Sequence, residues 1–123
     1  MEYREFIEAV RRLDFIADDQ TADALVKAVL GILASGLTHS MAQNLASALP
    51  EPLDYERLRG HQDRPLAIDS ERYLKNIAVQ FGLQEDQARR AVVVILEKAR
   101  ELVGNNEITI IIETILYEVG AGK

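Results

Sequence analysis

The sequence predicts an all-α protein, and three observations lead to this fold class. Apolar residues recur three and four positions apart through most of the 123-residue chain, which is the spacing of one face of a helix. The prolines Pro50, Pro52 and Pro65 mark one break in regular structure, because proline clashes in helix interiors. The apolar spacing on the two sides of this break matches. We therefore expect two similar groups of helices.

The two groups correspond position by position after a one-residue deletion in the second. The matched sets are Phe6, Ile7 and Val10 with Tyr73, Leu74 and Ile77; Ala22, Val26, Val29 and Leu30 with Ala88, Val92, Ile95 and Leu96; and Leu37, Leu45 and Leu49 with Val103, Ile111 and Ile115. Each group alone would leave an apolar face exposed. We expect a single domain over residues 1–123, a six-helix bundle of two three-helix repeats (1–50 and 70–119) with pseudo-twofold symmetry. A proline-containing linker over 51–69 joins the repeats.

The first repeat is expected to contain a helix at "EYREFIEAVRRL", a long helix at "DQTADALVKAVLGILAS" and a third helix after "GLT". Asp18 is placed to cap the long helix, and Gly36 to end it in a left-handed conformation. Ser40 and Gln43 have the spacing of a capping box for the third helix, with Thr38 as the alternative cap.

The second repeat is expected to contain a helix at "SERYLKNIAVQF", with Gly82 as its stop, and a long helix at "QEDQARRAVVVILEKARELVG". The last segment, "NNEITIIIETILYEV", is rich in isoleucine and threonine, which favour strands. Its apolar residues nevertheless follow helical spacing. They are Ile108, Ile111, Ile112, Ile115, Leu116 and Val119. We expect a helix here, capped by Asn106.

Composition excludes several classes of function. There is no cysteine, which removes thiolate metal sites and cysteine nucleophiles and fits a reducing compartment. The net charge of −6 disfavours binding to nucleic acid or anionic lipid. The charged start "MEYREFIEAVRR" is unlike a signal peptide, and no apolar run approaches the roughly 18 residues of a membrane span. We expect a soluble cytoplasmic protein with neither a nucleic-acid nor a membrane partner.

Two groups of residues could carry chemistry, and each has a simpler explanation. Thr38, His39 and Ser40 are residue types of nucleophilic catalysis, but adjacent residues at a helix start diverge and commonly serve as caps. His61 and Asp63 could bind a metal, but catalytic zinc normally has three protein ligands, so a solvated loop explains them better. We expect no catalytic residue, no metal site, no cofactor and no enzymatic activity.

Arginine side chains are the strongest candidates for contacts with a partner. Arg57, Arg59 and Arg64 cluster in the linker, and two pairs lie at 11–12 and 89–90. Guanidinium groups bind carboxylates and phosphates through paired hydrogen bonds. The linker arginines are therefore candidate anion or partner contacts. Ion pairing with the chain's own acidic residues is the alternative for all of these arginines.

The segment "ADDQTADALVKAVLGILASGLTHSMAQNLASALP" resembles the first half of the bacterial domain-of-unknown-function 2267 family. The resemblance extends to the N-terminal "FIEAV" segment and to a second copy of the unit, so it covers most of the chain. The C-terminal "EITIIIETILYEV" departs from the family's alanine-rich, proline-terminated repeat. The resemblance implies an all-helical fold and brings no established activity or catalytic residues.

These observations favour a small cytoplasmic protein-interaction or regulatory module. Ile110 lies off the apolar stripe of the last helix, as does Val93 or Val94 on the long helix, and surplus apolar surface often marks a partner. Ile110 is thus a candidate self-association residue, and a homodimer or another protein is the expected assembly. The alternative is a carrier or sensor of a small apolar ligand bound between the two repeats, and an enzyme ranks third.

Overall fold

The computed structural model describes residues 2–51, 53, 54, 58 and 69–120. Within these ranges the chain is all-helical, with six helices and no strand. They are α1 (Tyr3–Arg11), α2 (Asp19–Ser35), α3 (His39–Ala48), α4 (Ser70–Phe81), α5 (Glu85–Leu102) and α6 (Asn106–Glu118). The all-α class is confirmed, as is the helical conformation of the isoleucine-rich last segment. None of these helices is both long and apolar enough to cross a membrane.

Capping side chains set the starts of α2 and α6. The Asp18 carboxylate accepts a hydrogen bond from the amide of Thr21 at 2.7 Å, as predicted. The cap of α6 is Asn105 rather than Asn106, and it accepts from the amide of Ile108 at 3.1 Å. The same oxygen also accepts from the amide of Glu107 at 2.9 Å. Asn105 therefore satisfies two of the amides that a helix start leaves without a partner in the helix.

The cap of α3 is Thr38, and the capping box predicted for Ser40 and Gln43 is wrong. The Thr38 hydroxyl accepts a hydrogen bond from the amide of Met41 at 3.2 Å, and the helix begins at His39. Thr38, which the sequence offers as the alternative cap, is therefore the one used.

The residues around the cap explain this choice. Leu37, immediately before Thr38, is buried, and so is Ala42, the fourth residue of α3. An apolar pair at these two positions fixes the angle at which the chain enters a helix. If Ser40 were the cap, the exposed His39 would occupy the position of Leu37, and this pair would be lost.

The two glycines that follow helices end them in different ways. Gly82 takes the left-handed conformation (φ 63°, ψ 35°) and stops α4, as predicted. Gly36 is right-handed (φ −88°, ψ −1°), so the predicted left-handed end of α2 is wrong. There the amide of Leu37 bonds to the carbonyl of Ala34 at 3.1 Å. This shorter bond tightens the last turn and satisfies the helix end without a positive φ.

The core lies between the two long helices and the helices that flank them. α1 and α4 each contact both α2 and α5, which also contact each other; α3 packs on α2, and α6 packs on α5 and α4. Among the described residues the core is aliphatic apart from two aromatic rings, Phe6 and Tyr73, which are almost completely buried. The Tyr73 hydroxyl donates a hydrogen bond to the Val29 carbonyl at 2.5 Å. This bond ties α4 to the middle of α2.

Candidate binding groove

A groove of about 300 Å³ lies where the outer side of α5 meets the connection between α1 and α2. We call it the α5 groove. Its lining residues are Leu13, Arg89, Arg90, Val93, Val94, Glu97 and Gly120. Five of the seven come from α5, so the amphipathic pattern of this helix determines the chemistry of the groove.

The core-facing residues of α5 leave the lining residues on its outer flank. Ala91, Val92, Ile95 and Leu96 are completely buried, whereas the valines between them, Val93 and Val94, are only half-buried at the edge of the core. Arg89, Val93 and Glu97 follow one another four residues apart along this flank. They place a cation at one end, apolar surface in the middle and a carboxylate at the other end. At 1.5 Å per residue the strip is about 12 Å long.

The two arginines at the basic end are held in place by different contacts. The Arg90 guanidinium lies over the Phe15 ring, 5.4 Å from its centroid, and 3.6 Å from a carboxylate oxygen of Asp14. Arg89 donates a hydrogen bond to Asp86 at 3.3 Å. The side chains of both acids are largely exposed, at 85% for Asp14 and 75% for Asp86. Such surface ion pairs contribute little stability, about 0–1 kcal/mol, so another carboxylate can replace either acid.

Gly120 closes the groove beside Arg89. It has a positive φ of 101°, a conformation that glycine adopts without a steric penalty. A Cβ atom placed on it would lie 3.9 Å from Cδ and Nε of Arg89. A second depression, of about 320 Å³, is lined by Arg89, Glu118, Val119 and Gly120. The two depressions are therefore neighbours that share Arg89 and Gly120.

Comparison with protein-family profiles assigns the chain to a family. The profile described as "Uncharacterized conserved protein (DUF2267)" matches residues 3–115. The chain is a member of the DUF2267 family. Comparisons with curated proteins and with solved structures give no match. DUF2267 membership thus confirms the resemblance seen in the sequence, and its description assigns no activity.

The site residues predicted for this DUF2267 protein fall in different places. The candidate anion contacts Arg57, Arg59 and Arg64 lie outside the described residues, as do His61 and Asp63. The arginine pairs are described. Arg11 donates a hydrogen bond to Asp19 at 2.6 Å, and Arg89 and Arg90 have the contacts given above.

The Thr38–His39–Ser40 constellation forms the start of α3. Thr38 caps the helix through its hydroxyl, and His39 and Ser40 are exposed in the first turn. Within the described ranges, no three histidine, aspartate or glutamate side chains lie close enough together to hold a metal ion. At this helix start, therefore, the structure assigns a capping bond to Thr38.

The candidate self-association residue lies on an exposed side of α6. Ile110 is 63% exposed and Tyr117 is 65% exposed. They are seven residues apart, so they lie within about 20° of each other around the helix. The sequence analysis predicts Ile110 at this surface but not Tyr117. The seven-residue spacing between the two is the pattern that indicates Tyr117.

The groove itself was only half visible in the sequence. The sequence indicates the arginine pair at 89–90 and one off-stripe valine, Val93 or Val94. It does not indicate Leu13 and Gly120, because they reach α5 only through the packing of α1 and the end of α6. Local sequence carries no signal for such contacts.

Proposed function

We propose that this chain is a small cytoplasmic protein-interaction or regulatory module that self-associates through the outer side of α6. The observation that carries the proposal is the pair of exposed side chains Ile110 and Tyr117 on one side of this helix. The opposite side of α6 is already used, because Ile108 and Ile112 are fully buried in the chain's own core. Burying a single isoleucine is worth roughly 1.5–3 kcal/mol, so a partner covering the exposed side gains stability.

We also propose that the bundle is built from two three-helix repeats with pseudo-twofold symmetry. In support, paired helices start 67, 66 and 67 residues apart: Tyr3 and Ser70, Asp19 and Glu85, His39 and Asn106. The packing is reciprocal, since α1 contacts α5 and α4 contacts α2. Counted from the helix starts, Leu45 matches Ile112 and both are buried. The sequence analysis pairs Leu45 with Ile111, so the structure-based pairing differs from it by one residue.

The proposal is of a binding protein and not of an enzyme. Of the residues that most resemble a nucleophile and its base, Thr38 caps α3, and His39 and Ser40 are exposed in its first turn. Carboxylates at the start of α2 have structural partners, since Asp18 caps the helix and Asp19 accepts from Arg4 and Arg11. Because these polar groups have structural roles, we base the proposed function on the exposed surfaces of the helices.

Sedimentation equilibrium tests the self-association. We expect the wild type to form a dimer with a concentration-dependent average mass, and Ile110→Glu to remain monomeric because it places a charge in the apolar contact. Val79→Glu is the matched control, because Val79 is 84% exposed on α4 rather than α6, and its dimer should persist. A wild type that stays monomeric at millimolar concentration contradicts the proposal. A dimer that Ile110→Glu does not weaken contradicts the choice of α6.

A second candidate function is a carrier or sensor of a small apolar ligand held between the two halves. The α5 groove is the observation that favours it, since Leu13 comes from the first half and Val93 and Val94 from the second. Its volume of about 300 Å³ is at the lower end of ligand pockets. A ligand found in this groove by amide shift mapping tests this candidate.

A further inference from the structure

We propose that the α5 groove binds an amphiphilic monocarboxylate, with the carboxylate on Arg89 and Arg90 and the aliphatic tail over Val93 and Val94. The proposal rests on the second candidate function, a small ligand held between the two halves, and names the chemical class of that ligand. The proposal adds a charged head group to that ligand, because the groove has arginines at one end and a carboxylate at the other.

The basic end of the groove supplies two guanidinium groups next to each other on α5. The side chains of Arg89 and Arg90 are 41% and 50% exposed, so they are accessible to a ligand. Their stems lie beside the groove and their present partners are acids at the surface. A ligand carboxylate can take the place of Asp86 or Asp14 and form the charge-assisted hydrogen bonds that arginine favours. The contact of Arg90 with Phe15 keeps that guanidinium in position before the ligand arrives.

The middle of the groove is apolar and only partly covered. Val93 and Val94 are half-buried and pack against the core, while Leu13 is 8% exposed. An aliphatic tail laid over these three side chains removes apolar surface from water on both partners, at roughly 25 cal/mol per Å². The groove thus favours a chain of methylene groups directly beside the carboxylate.

The end of the groove at Glu97 favours a ligand with a single carboxylate. Glu97 is exposed and lines the groove two helical turns beyond Arg89. A second carboxylate at the end of the tail would approach Glu97 and be repelled, because like charges disfavour each other at short range. The groove therefore selects a monocarboxylate over a dicarboxylate of the same length, and it disfavours a cationic head at its basic end.

The test is a titration of the ¹⁵N-labelled full chain with octanoate, octan-1-ol, octylammonium and octanedioate. We expect saturable amide shifts at Leu13, Val93, Val94 and Gly120 with octanoate. Octan-1-ol and octanedioate should bind at least tenfold more weakly. Octylammonium should also bind more weakly than octanoate, because only Glu97, at the opposite end of the groove, can pair with its head group. Losing a charged hydrogen-bond partner costs enough to account for a change of this size.

Variants separate the head-group contact from general binding. Octanoate affinity should fall at least tenfold in the double variant Arg89→Gln/Arg90→Gln, and remain unchanged in Arg100→Gln, which alters an exposed arginine of α5 outside the groove. Glu97→Gln should improve octanedioate binding while leaving octanoate binding nearly unchanged. Thermal melts of each variant establish that the fold is retained.

The possible failures are distinguishable. If octan-1-ol binds in the groove as well as octanoate and the double arginine variant keeps its affinity, the monocarboxylate assignment is wrong and the ligand-binding function stands. If none of the four compounds shifts the groove amides, the monocarboxylate assignment and the ligand-binding function are both wrong. Shifts confined to another surface also overturn the assignment to the α5 groove.

Discussion

The two long helices have nearly the same length but very different surroundings. α2 has three charged residues in 17 positions, whereas α5 has eight in 18. Beyond Ala24 no residue of α2 is classed as exposed, while α5 has exposed residues at both ends and at Arg90 and Glu97 in between. α2 is enclosed by α1, α3, α4 and α5. α5 keeps one flank open to solvent.

The difference shows which of the two long helices keeps a surface open to solvent. An enclosed helix contributes mainly to stability, since most of its surface packs against other elements. An open flank can carry charged and apolar residues in an order that packing does not determine. The α5 groove lies on that flank, and substitutions in the two helices should separate accordingly.

The largest expected effect comes from cavity formation in α2. Leu30 is fully buried, so Leu30→Ala should lower the free energy of unfolding by about 2–5 kcal/mol. Val94→Ala in α5 should cost about 1 kcal/mol or less, because Val94 is half-buried and alanine is the better helix former. Urea denaturation of both variants measures the difference. Equal losses would mean that the outer flank of α5 is as tightly packed as α2.

The hydrogen bond between α4 and α2 should have a smaller effect. Tyr73→Phe removes the hydroxyl that donates to the Val29 carbonyl, at a cost of about 0.5–1.5 kcal/mol. Burial raises the pKa of the Tyr73 hydroxyl, so it remains a donor at neutral and mildly alkaline pH. The loss should therefore be the same at neutral and mildly alkaline pH. A pH-dependent loss in urea titrations would contradict this assignment.

The cap of α3 should have an effect of similar or slightly smaller size, and α3 is one of the elements that enclose α2. Thr38→Ala should lower the free energy of unfolding by about 1 kcal/mol, as the loss of N-caps does. Ser40→Ala and His39→Ala should change it by only a few tenths of a kcal/mol, as surface substitutions do. The three variants compared in one denaturation series check this. A larger loss of unfolding free energy for Ser40→Ala than for Thr38→Ala would show that Ser40, with Gln43, caps α3 instead.

Helical periodicity was enough to predict all six described helices, including α6, whose residue types favour strands. It worked there because Ile108, Ile112 and Ile115 must lie on one side to be buried together. The exact cap residues were harder, since Thr38 and Ser40 are chemically equivalent as caps. The choice between them depends on Leu37 reaching the core. The groove was harder still, because Leu13 and Gly120 meet α5 only in the folded chain.

A glycine in α2 offers a small effect of opposite sign. Gly31 lies inside the helix, and its missing Cβ atom would be 3.4 Å from the Leu58 carbonyl oxygen, an ordinary contact distance. Gly31→Ala should therefore raise the free energy of unfolding, by up to about 1 kcal/mol. Gly31→Val should lower it, because the added methyl groups extend into space that Leu58 occupies. If the valine variant were as stable as the alanine variant, the backbone of Leu58 would not limit the space beside α2.

The last difference between the long helices is how the carboxylates at their starts affect stability at low pH. Asp19 of α2 accepts hydrogen bonds from Arg4 at 2.7 Å and from Arg11 at 2.6 Å. Within the described part of the chain, Asp86 of α5 pairs with Arg89 of its own helix, at 3.3 Å. The arginine hydrogen bonds lower the pKa of the Asp19 carboxyl below its ordinary value of 3.8. The amide of Thr21 has the same effect on the pKa of Asp18.

A lowered pKa in the folded state fixes the sign of the acid dependence. Such a carboxylate contributes stability above the pKa of the unfolded chain, about 3.9 for aspartate, and this contribution is lost as the pH falls through the folded pKa. Urea titrations between about pH 6 and pH 2.5 should therefore show a smaller loss of stability for Asp19→Asn than for the wild type. The slope should not vanish, because Asp18 remains. Asp86→Asn should be the milder substitution at neutral pH, since it breaks no contact between helices. An Asp19→Asn variant with the wild-type acid slope would show that the two arginines do not hold α1 to the start of α2 in solution.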